Sequence, residues 1–315
     1  MNEFALIQQF FNQHPVQRPD VVRSIGDDCA IVTVPFDKQL AISTDTLVSG
    51  VHFFPDMPAI DLGYKALAVN LSDLAATGAT PAWALLALTL PKANTTWLQA
   101  FSQGFFELAE RYHVALIGGD TTRGPLTITV HIHGFVSPRC ALTRSGAKPG
   151  DEIYVTGTLG DAGLGLQLLQ TPAAHPQRDY FISRLYRPTP RVEAGQALCH
   201  LASAAIDISD GLAADLTHIL ERSQVGATLF ATQLPLTGEH THENILRALT
   251  AGDDYELCFT VPSEKKPLLL QAMKALNCPI TCIGYIDDKH TLTVLDEHQQ
   301  IFPLTSKGFD HFTSQ

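Results

Sequence analysis

The chain has 315 residues, of which 45% are hydrophobic and 17% are charged, and its formal net charge is −11 at pH 7. This length fits two domains of ordinary size, and the composition excludes disordered and fibrous proteins. The acidic balance and the lack of a Lys/Arg cluster argue against a nucleic-acid partner.

Hydrophobic periodicity predicts alternating helices and strands in the first 136 residues. Helical spacing covers residues 4–13, 60–77 and 95–112. Strands are predicted over residues 29–34, 39–44, 83–90, 114–117 and 126–136. Ser137-Pro138 and the turn-rich stretch 145–150 then interrupt the pattern. We therefore predict an N-terminal domain over residues 1–140 and a C-terminal domain over residues 150–315.

The second half of the chain repeats this alternation. Helices are predicted over residues 164–169, 192–201 and 263–276, and a further helix begins at Leu212. Strands are predicted over residues 153–156, 204–208, 255–261, 281–286 and 292–295. The fold class is therefore α/β (α+β) with two domains.

Aspartates recur beside glycines or at predicted strand ends in six short segments. They are GDD at 26–28, STDT at 43–46, NLSD at 70–73, GGD at 118–120, DISDG at 207–211 and GDDYE at 252–256. We expect STDT and GGD to follow the ends of their strands, where ligands collect in open α/β sheets. Carboxylates and hydroxyls suit Mg²⁺, and glycines let backbone N–H groups approach phosphate.

Each segment alone also fits an ordinary turn or N-cap, because aspartate is favoured at both; Asp210 before Gly211 is one example. Asp73 is harder to explain in this way. An aspartate in the middle of a helix, between Leu71 and Leu74, is poorly favoured without a partner. Taken together, the six segments favour metal–phosphate chemistry.

The same segments resemble the thiamine-monophosphate kinase family, within the superfamily of aminoimidazole-ribonucleotide synthetase-like ATP enzymes. The resemblance runs nearly end to end and rests on IGDDCA at 25–30, STDTLVSGVHF at 43–53, KALAVNLSDLAA at 65–76, GGDTTRG at 118–124, LTRSGA at 142–147, DISDGL at 207–212 and DYEL at 254–257. Two positions depart from the family pattern. Ala251-Gly252-Asp253 stands where Gly-Gly-Glu is expected, and Phe309 stands where Trp or Tyr also occurs.

The resemblance implies a homodimer in which the N-terminal sheets of two subunits join into a barrel-like interface. It implies ATP- and Mg²⁺-dependent phosphorylation of thiamine monophosphate to thiamine diphosphate. The implied metal ligands are Asp28, Ser43, Thr44, Asp45, Asp73, Asp120, Asp207 and Asp210, of which Asp45, Asp73, Asp120 and Asp210 are the catalytic residues. Gly119, Asp120, Arg144 and Ser209 would contact the nucleotide. His52, Glu256 and Phe309 would hold the thiamine phosphate.

Phosphorylating a phosphate needs no general base, because its second pKa of about 6 leaves the acceptor oxygen largely ionised at neutral pH. Two other functions stay open: another synthetase of the same superfamily, or a non-catalytic module that binds metal or phosphate. Without the resemblance, His52 and Phe309 would be interpreted as ordinary packed or surface residues. The roles of Asp27, Asp253 and Asp254 also stay open.

The cysteines and the apolar segments bear on the compartment. Six cysteines are scattered without a CxxC pair, which favours single thiols in a reducing compartment over a disulfide framework. No apolar stretch approaches the roughly 18 residues of a membrane helix, and the N-terminus lacks the pattern of a secretory signal. We therefore expect a cytoplasmic protein with no membrane partner.

Overall fold

Strand pairing divides the protein into two main sheets that belong to different parts of the chain. The computed structural model describes residues 3–12, 17–171, 174–304 and 308–309. The first unit comprises the described residues up to 74 together with 79–138. The second comprises residues 75–78 and the described residues from 139 onward.

The first unit is built on a four-stranded sheet. In chain order its elements are α1 (Glu3–Phe10), β1 (Val21–Arg23), β2 (Ile31–Val32), β3 (Gln39–Val48), α2 (Ala59–Thr77, whose last turn groups with the second unit), β4 (Thr80–Leu90), α3 (Thr95–Arg111), β5 (Ala115–Arg123) and β6 (Thr127–Val136). The strand order is β3-β6-β4-β5, and only β4 and β5 are parallel. The short strands β1 and β2 pair with each other.

The two faces of this sheet have different coverings. Val130 and Ile132 are buried on the face that meets α2, which we call the helix face. On the opposite face, Trp83 and Ile117 belong to a small apolar cluster that also takes in Val32 from the β1–β2 pair. We call this second face the open face, because α2 and α3 do not cover it. Residues that alternate along each strand therefore meet different surroundings.

Helices α2 and α3 cross at a pair of glycines. A Cβ atom at Gly63 would lie 2.0 Å from the carbonyl oxygen of Phe101, and one at Gly104 would lie 1.8 Å from that of Ile60. No side chain fits at either position, so the two backbones touch directly. This contact fixes how α2 lies on the sheet and therefore where Asp73 points.

The second unit has a six-stranded sheet in the order β12-β9-β11-β7-β10-β8, in which only β12 and β9 are parallel. Its elements are β7 (Glu152–Thr156), α4 (Asp161–Gln170), α5 (Arg178–Tyr186), α6 (Val192–Ala197), β8 (Ala204–Asp207), α7 (Leu212–Ser223), β9 (Gly226–Phe230), α8 (His242–Thr250), β10 (Leu257–Val261), α9 (Lys266–Ala275), β11 (Ile280–Asp287) and β12 (Leu292–Leu295). The inner face of α7 packs into the core of this sheet through Leu212, Leu216 and Ile219.

The predicted fold class, mixed helix and sheet in two parts, is confirmed, but several elements differ from the prediction. The strand predicted over residues 39–44 continues to Val48. The strand predicted over 114–117 continues to Arg123. The strand predicted over 29–34 is only two residues long. Strands β1 and β9 and helices α5 and α8 were not predicted at all. The predicted helix over residues 4–13 ends at Phe10, and Gln13 lies outside the described residues.

The expectation that every cysteine is a single thiol is wrong for one pair, because Cys140 and Cys199 form a disulfide. The other four cysteines, Cys29, Cys258, Cys278 and Cys282, are free. Among the helices that the structure describes, none is both long enough and apolar enough to cross a membrane.

Candidate active site

Strand β3 and helix α2 bring Ser43, Asp45 and Asp73 of the predicted site together with Asn70 on the helix face. The Ser43 hydroxyl donates to Oδ2 of Asp73 over 2.5 Å. The backbone N–H of Asp45 donates to Oδ1 of Asn70 over 3.2 Å. The Asn70 amide in turn donates to the carbonyl of Ala66, one helical turn earlier. We call Ser43, Asp45, Asn70 and Asp73 the β3–α2 acidic group.

Ser43, Thr44 and Asp45 were predicted to follow a strand end, and this is wrong: they lie inside β3. Alternation along the strand therefore separates them. Ser43 and Asp45 project toward α2, whereas Thr44 projects from the open face. The Thr44 hydroxyl donates to the carbonyl of Val130 over 3.1 Å.

A cavity of about 1230 Å³ opens on the other side of the sheet, between α1, residues 25–32 and strands β4 and β5. Asp27, Asp28, Gly119 and Asp120 line it together with apolar side chains. Its volume is sufficient for a ligand of nucleotide size. The structure thus places the GDD and GGD segments around one cavity.

Gly119 has a backbone conformation that only glycine adopts easily. Its φ is +145°, and a Cβ atom there would lie 1.9 Å from the carbonyl oxygen of Leu86. Glycine at this position therefore lets β5 lie close against β4 beside Asp120. The GGD segment was predicted to follow the end of its strand; it lies inside β5 instead.

Strand register shows how the cavity relates to the β3–α2 acidic group. Asp120 pairs with Ala87, which pairs with Thr129, and Thr129 pairs with Thr46. Paired residues share a face, so Asp120 lies on the open face and Asp45 on the helix face. Asp45 and Asp73 therefore lie on one face and Asp120 on the other, and a common metal site for the three stays a prediction.

His52 is held by a tight turn that follows β3. Its Nδ1 accepts the backbone N–H of Val48 over 2.9 Å. Gly50 has a φ of +81° in this turn, and its N–H donates to the carbonyl of Phe53. Because Nδ1 is an acceptor, the proton of the neutral ring resides on Nε2.

In the second unit, Asp215 organises the segment that contains Asp207, Ser209 and Asp210. Oδ2 of Asp215 accepts the backbone N–H groups of Ser209, Asp210 and Gly211 over 3.0, 3.0 and 3.1 Å. Burial raises the pKa of Asp215 to about 7; the three amides oppose this shift, and the charge of Asp210 adds to it. We call residues 207–211 the DISDG loop.

Two other segments pack against the DISDG loop. The N–H of Asp253 donates to the carbonyl of Ser209 over 2.9 Å, and the N–H of Phe309 donates to that of Asp210 over 3.1 Å. The structure therefore brings together Ser209, Asp210 and Phe309, which were predicted to serve different ligands. The side chain of Phe309 is partly exposed beside them.

Glu256 was predicted to contact the substrate, but its carboxylate is fully buried and already occupied. It accepts Nη2 of Arg184 at 2.8 Å, Nε and Nη2 of Arg191 at 2.6 and 2.7 Å, and the hydroxyl of Thr156 at 2.6 Å. In this conformation Glu256 positions two arginines rather than a ligand.

Asp254 and Arg144 have different surroundings. Asp254 is also fully buried and accepts the N–H groups of Gly160 and Ala162 at the start of α4, and burial raises its pKa to about 8. Arg144 is exposed, on a segment whose backbone is bound by the hydroxyl of Ser223.

The sequence analysis missed Asp215, Arg184 and Arg191. Asp215 had a detectable signal, because an aspartate in the first turn of a helix after Asp210-Gly211 can accept the exposed N–H groups of the preceding loop. The two arginines had none, since their buried partner Glu256 lies 72 and 65 positions away along the chain.

The donors at these positions suit magnesium. Carboxylates and hydroxyls, the side chains of the predicted set, are the oxygen ligands that a hard cation prefers. Of the described His, Cys, Asp and Glu side chains, the only three with ligand atoms all within 4.8 Å of one another are Cys140, Cys199 and His200. Ser43 and Thr44 add hydroxyl oxygens to the carboxylates, so the chemistry of the set fits magnesium.

Comparisons with known proteins give a consistent result. Residues 26–136 match the family described as AIR synthase related protein, N-terminal domain, and residues 148–297 match its C-terminal domain. The chain is 51% identical over 321 residues to thiamine-monophosphate kinase of Escherichia coli K12, covering 99% of this chain and 98% of the relative. It is 39% identical to the corresponding kinase of Bacillus subtilis 168, covering 99% of this chain and all of the relative.

Solved structures agree. The crystal structure of thiamine-monophosphate kinase from Stenotrophomonas maltophilia K279a superposes with a TM-score of 0.87 at 45% identity, covering 93% of this chain and 96% of that one. A structure of AaThiL complexed with AMPPCP and TMP superposes with a TM-score of 0.77 at 33% identity, covering 89% of each chain. The chain therefore belongs to the thiamine-monophosphate kinase family, within the AIR synthase related proteins.

Proposed function

We propose that this protein transfers the γ-phosphoryl group of ATP directly to thiamine monophosphate and so forms thiamine diphosphate. The observation that carries this proposal is the complex of AaThiL, which holds AMPPCP, a non-hydrolysable analogue of ATP, together with TMP. The cavity lined by Gly119, Asp120 and Asp28 offers bare backbone and carboxylates to such ligands. This combination suits a nucleotide bound through metal-bridged phosphates.

Asp28, Ser43, Thr44, Asp45, Asp73 and Asp120 of the first unit would hold magnesium, with Asp207 and Asp210 contributing from the second. When bound, the metal neutralises the phosphates and aligns donor and acceptor oxygens in line. The hydrogen bond from Ser43 keeps the Asp73 carboxylate turned toward β3. The backbone N–H of Asp45 donates to Oδ1 of Asn70 and so holds β3 against α2 beside Asp73.

The nucleotide would be held by Gly119 and Asp120 at the strand edge and by Arg144 and Ser209 in the second unit. Arg144 supplies a guanidinium suited to phosphate oxygens. The backbone of Ser209 is held in place by Asp215, so its position does not depend on the ligand.

The acceptor would be held by His52 and Phe309. The Nε2–H group of His52 is a donor suited to a phosphate oxygen, since Nδ1 is already an acceptor. Phe309 offers a ring face to the thiazolium cation. Glu256 acts at a distance in this scheme, through Arg184 and Arg191. No residue needs to remove a proton, because the acceptor phosphate is largely ionised at neutral pH.

We further infer a homodimer formed through the first unit. Strand β3 is at the edge of its sheet, and Ile42 on its open face is 63% exposed. An exposed apolar edge strand is a template for pairing with another chain. Analytical ultracentrifugation tests this point: Ile42→Lys should convert a dimer to a monomer. The cytoplasm remains our prediction for the compartment.

Purified protein incubated with ATP, Mg²⁺ and thiamine monophosphate should form ADP and thiamine diphosphate in equal amounts, measured by phosphorus NMR. Chelation of Mg²⁺ should stop the reaction. With a chirally labelled γ-phosphate, inversion at phosphorus supports direct in-line transfer, and retention would contradict it. ATP consumption only with the substrate of another synthetase of the superfamily would favour that alternative. No ATP consumption with any substrate would favour the non-catalytic module that binds metal or phosphate.

A further inference from the structure

We propose that Cys140 and Cys199 form a reversible redox site, whose disulfide is made and broken by exchange with small-molecule thiols and disulfides. Neither cysteine takes part in the proposed phosphoryl transfer, so this site is an additional property of the protein. The proposal rests on the bonded pair, a neighbouring histidine and the partial exposure of both cysteines.

The pair is assembled by tertiary structure. Cys140 lies just after the division between the units, and Cys199 follows the end of α6, 59 positions later in the sequence. Their Cα atoms are 4.8 Å apart. Neither residue is fully buried: both cysteines are half-buried and the neighbouring His200 is exposed.

His200 places a proton acceptor beside the pair. Its Nε2 lies 3.4 Å from Sγ of Cys140, and the residue is exposed. Its φ of +64° is a conformation that non-glycine residues adopt at a cost. The carbonyl of His200 accepts Nζ of Lys265 over 2.6 Å, which holds this backbone in place and brings a positive charge nearby. An imidazole next to a thiol can take its proton and leave the reactive thiolate.

The exchange is chemically balanced. In the reduced protein, the Cys140 proton moves to His200 and the thiolate attacks one sulfur of a small disulfide such as oxidised glutathione. A mixed disulfide forms and one small thiolate leaves. The Cys199 thiolate then attacks Sγ of Cys140 and releases the second small thiolate. Both thiol protons end on the released thiols, and two electrons pass to the small disulfide.

The free cysteines have different surroundings. Cys258 is fully buried in β10, and burial raises the pKa of its thiol far above the ordinary value. Burial also raises the pKa of Cys278 and of Cys282. These three thiols are held in the unreactive protonated form, so they should not compete with Cys140 and Cys199. Cys29 is exposed, so thiol mapping must distinguish its adducts from the paired protection of Cys140 and Cys199.

The disulfide ties three chain segments of the second unit together. The N–H of Leu142 donates to the carbonyl of Thr77 in the last turn of α2. A Cβ atom at Gly195 of α6 would lie 1.9 Å from the carbonyl oxygen of Ala75 in the same turn. The disulfide thus joins two segments that both contact residues 75–78. Oxidation should therefore stabilise the packing of these three segments.

The test equilibrates the full-length protein in glutathione buffers of graded oxidation, alkylates the remaining thiols and maps them by mass spectrometry. We expect Cys140 and Cys199 to be protected together and to be released again by reduction. Oxidation should raise the melting temperature by on the order of 5–15 °C, from closing a long loop. A pair that stays reduced in every buffer, or that only gains glutathione adducts, would overturn the proposal.

Variants separate this site from general oxidation. Cys140→Ser and Cys199→Ser should each abolish the melting-temperature shift, whereas the control Cys278→Ser should keep it. His200→Gln should slow disulfide formation by about tenfold. This effect is smaller than the usual contribution of a general base, because thiols also exchange without one. The matched control His298→Gln, at an exposed histidine, should leave the rate unchanged. Equal rates in all three proteins would remove His200 from the mechanism.

Discussion

The hydroxyl of Ser43 and the carboxylate of Asp73 are joined by a hydrogen bond of 2.5 Å, across the contact between β3 and α2. This bond explains how α2 tolerates an aspartate in its interior: the side chain has a partner on the neighbouring strand. It also fixes one carboxylate oxygen in place before any ligand binds. A preformed arrangement of this kind lowers the cost of ordering a metal ligand.

Asp73→Asn should abolish turnover while the fold survives. The substitution keeps the shape of the side chain but removes the charge that a metal ligand needs, so kcat should fall by more than the roughly 10–100-fold loss caused by removing an outer partner of a ligand. Steady-state kinetics at saturating Mg²⁺ and circular dichroism measure the two effects. Asp56→Asn, at an exposed position, is the control. Near-normal activity of Asp73→Asn would contradict the assignment.

Asp215 should act through the DISDG loop. Asp215→Ala leaves three backbone N–H groups without their acceptor, which should cost at least about 1–3 kcal/mol of unfolding free energy. It should also raise the KM for ATP, because Ser209 is displaced. Asp215→Asn keeps an acceptor oxygen and should be much milder. Urea unfolding and kinetics of both variants provide the test, and equal effects would show that the hydrogen bonds do not matter.

Phe309 should matter for one substrate more than for the other. Loss of its ring in Phe309→Ala removes a cation–π partner worth ~0.5–2 kcal/mol, which corresponds to a roughly 2- to 30-fold rise in the KM for thiamine phosphate. The KM for ATP should change less. Phe309→Trp should retain binding. Equal rises for both substrates would instead indicate that Phe309 packs against Asp210 and only supports the loop.

Glu256 should behave as a structural residue. Glu256→Gln removes the fully buried carboxylate that pairs with the part-buried guanidinium groups of Arg184 and Arg191, and should cost about 3–5 kcal/mol of unfolding free energy. Glu243→Gln, which breaks an exposed ion pair with Arg247, is the matched control and should cost less than about 1 kcal/mol. A stable Glu256→Gln protein with only a raised KM for thiamine phosphate would restore the direct contact predicted from sequence.

Asp20 should contribute stability that is lost in acid. Burial acts to raise its pKa, but the hydrogen bonds from Arg18 and Trp83 and the Arg18 charge outweigh this and hold the pKa below its usual value. A carboxylate with a lowered pKa stabilises the fold above the unfolded pKa of about 4 and loses that effect as the pH falls through the folded pKa. Asp20→Asn should thus cost about 1–3 kcal/mol at pH 7.

The difference between Asp20→Asn and the wild type should shrink as the pH falls below about 4, where the unfolded state takes up the proton first. It should be lost below the lowered pKa of the folded state, where Asp20 is protonated in both states. Urea unfolding at pH 7 and pH 3 measures it. Asp37→Asn, at an exposed carboxylate, should show little difference at either pH. If the difference in unfolding free energy between Asp20→Asn and the wild type is the same at both pH values, the charge of Asp20 does not cause the stabilisation.

Local spacing predicted the parts of the site that depend on one helix. Asn70 and Asp73 share a face of α2 because they are three residues apart, and both bond to β3. Strand β12 has the predicted bounds, and α2 differs by one residue at its start. In these places a strong apolar period coincides with the element that forms, so tertiary contacts did not need to override it.

Where the prediction was wrong, distant contacts decided the outcome. Polar residues such as Ser43 and Asp45 suggested a strand end, but β3 is an edge strand that tolerates polar side chains along its length. Glu256 is buried by arginines far along the chain, and the bond between Cys140 and Cys199 spans 59 positions. No local pattern carries this information. Helix α8 did offer a signal, because Thr241 accepts the N–H of Asn244 as an N-cap, and this was missed.

The absence of a side chain at Gly119 limits which substitutions this protein can accept during evolution. Any side chain at Gly119 would force β5 away from β4 at the Leu86–Gly119 pair, which is next to Asp120. A substitution at Gly119 that changed the lining of the proposed nucleotide cavity would therefore also disrupt the pairing of β4 and β5. Variation in ligand choice should arise instead from α1 and residues 25–32, which border the same cavity without sharing that constraint.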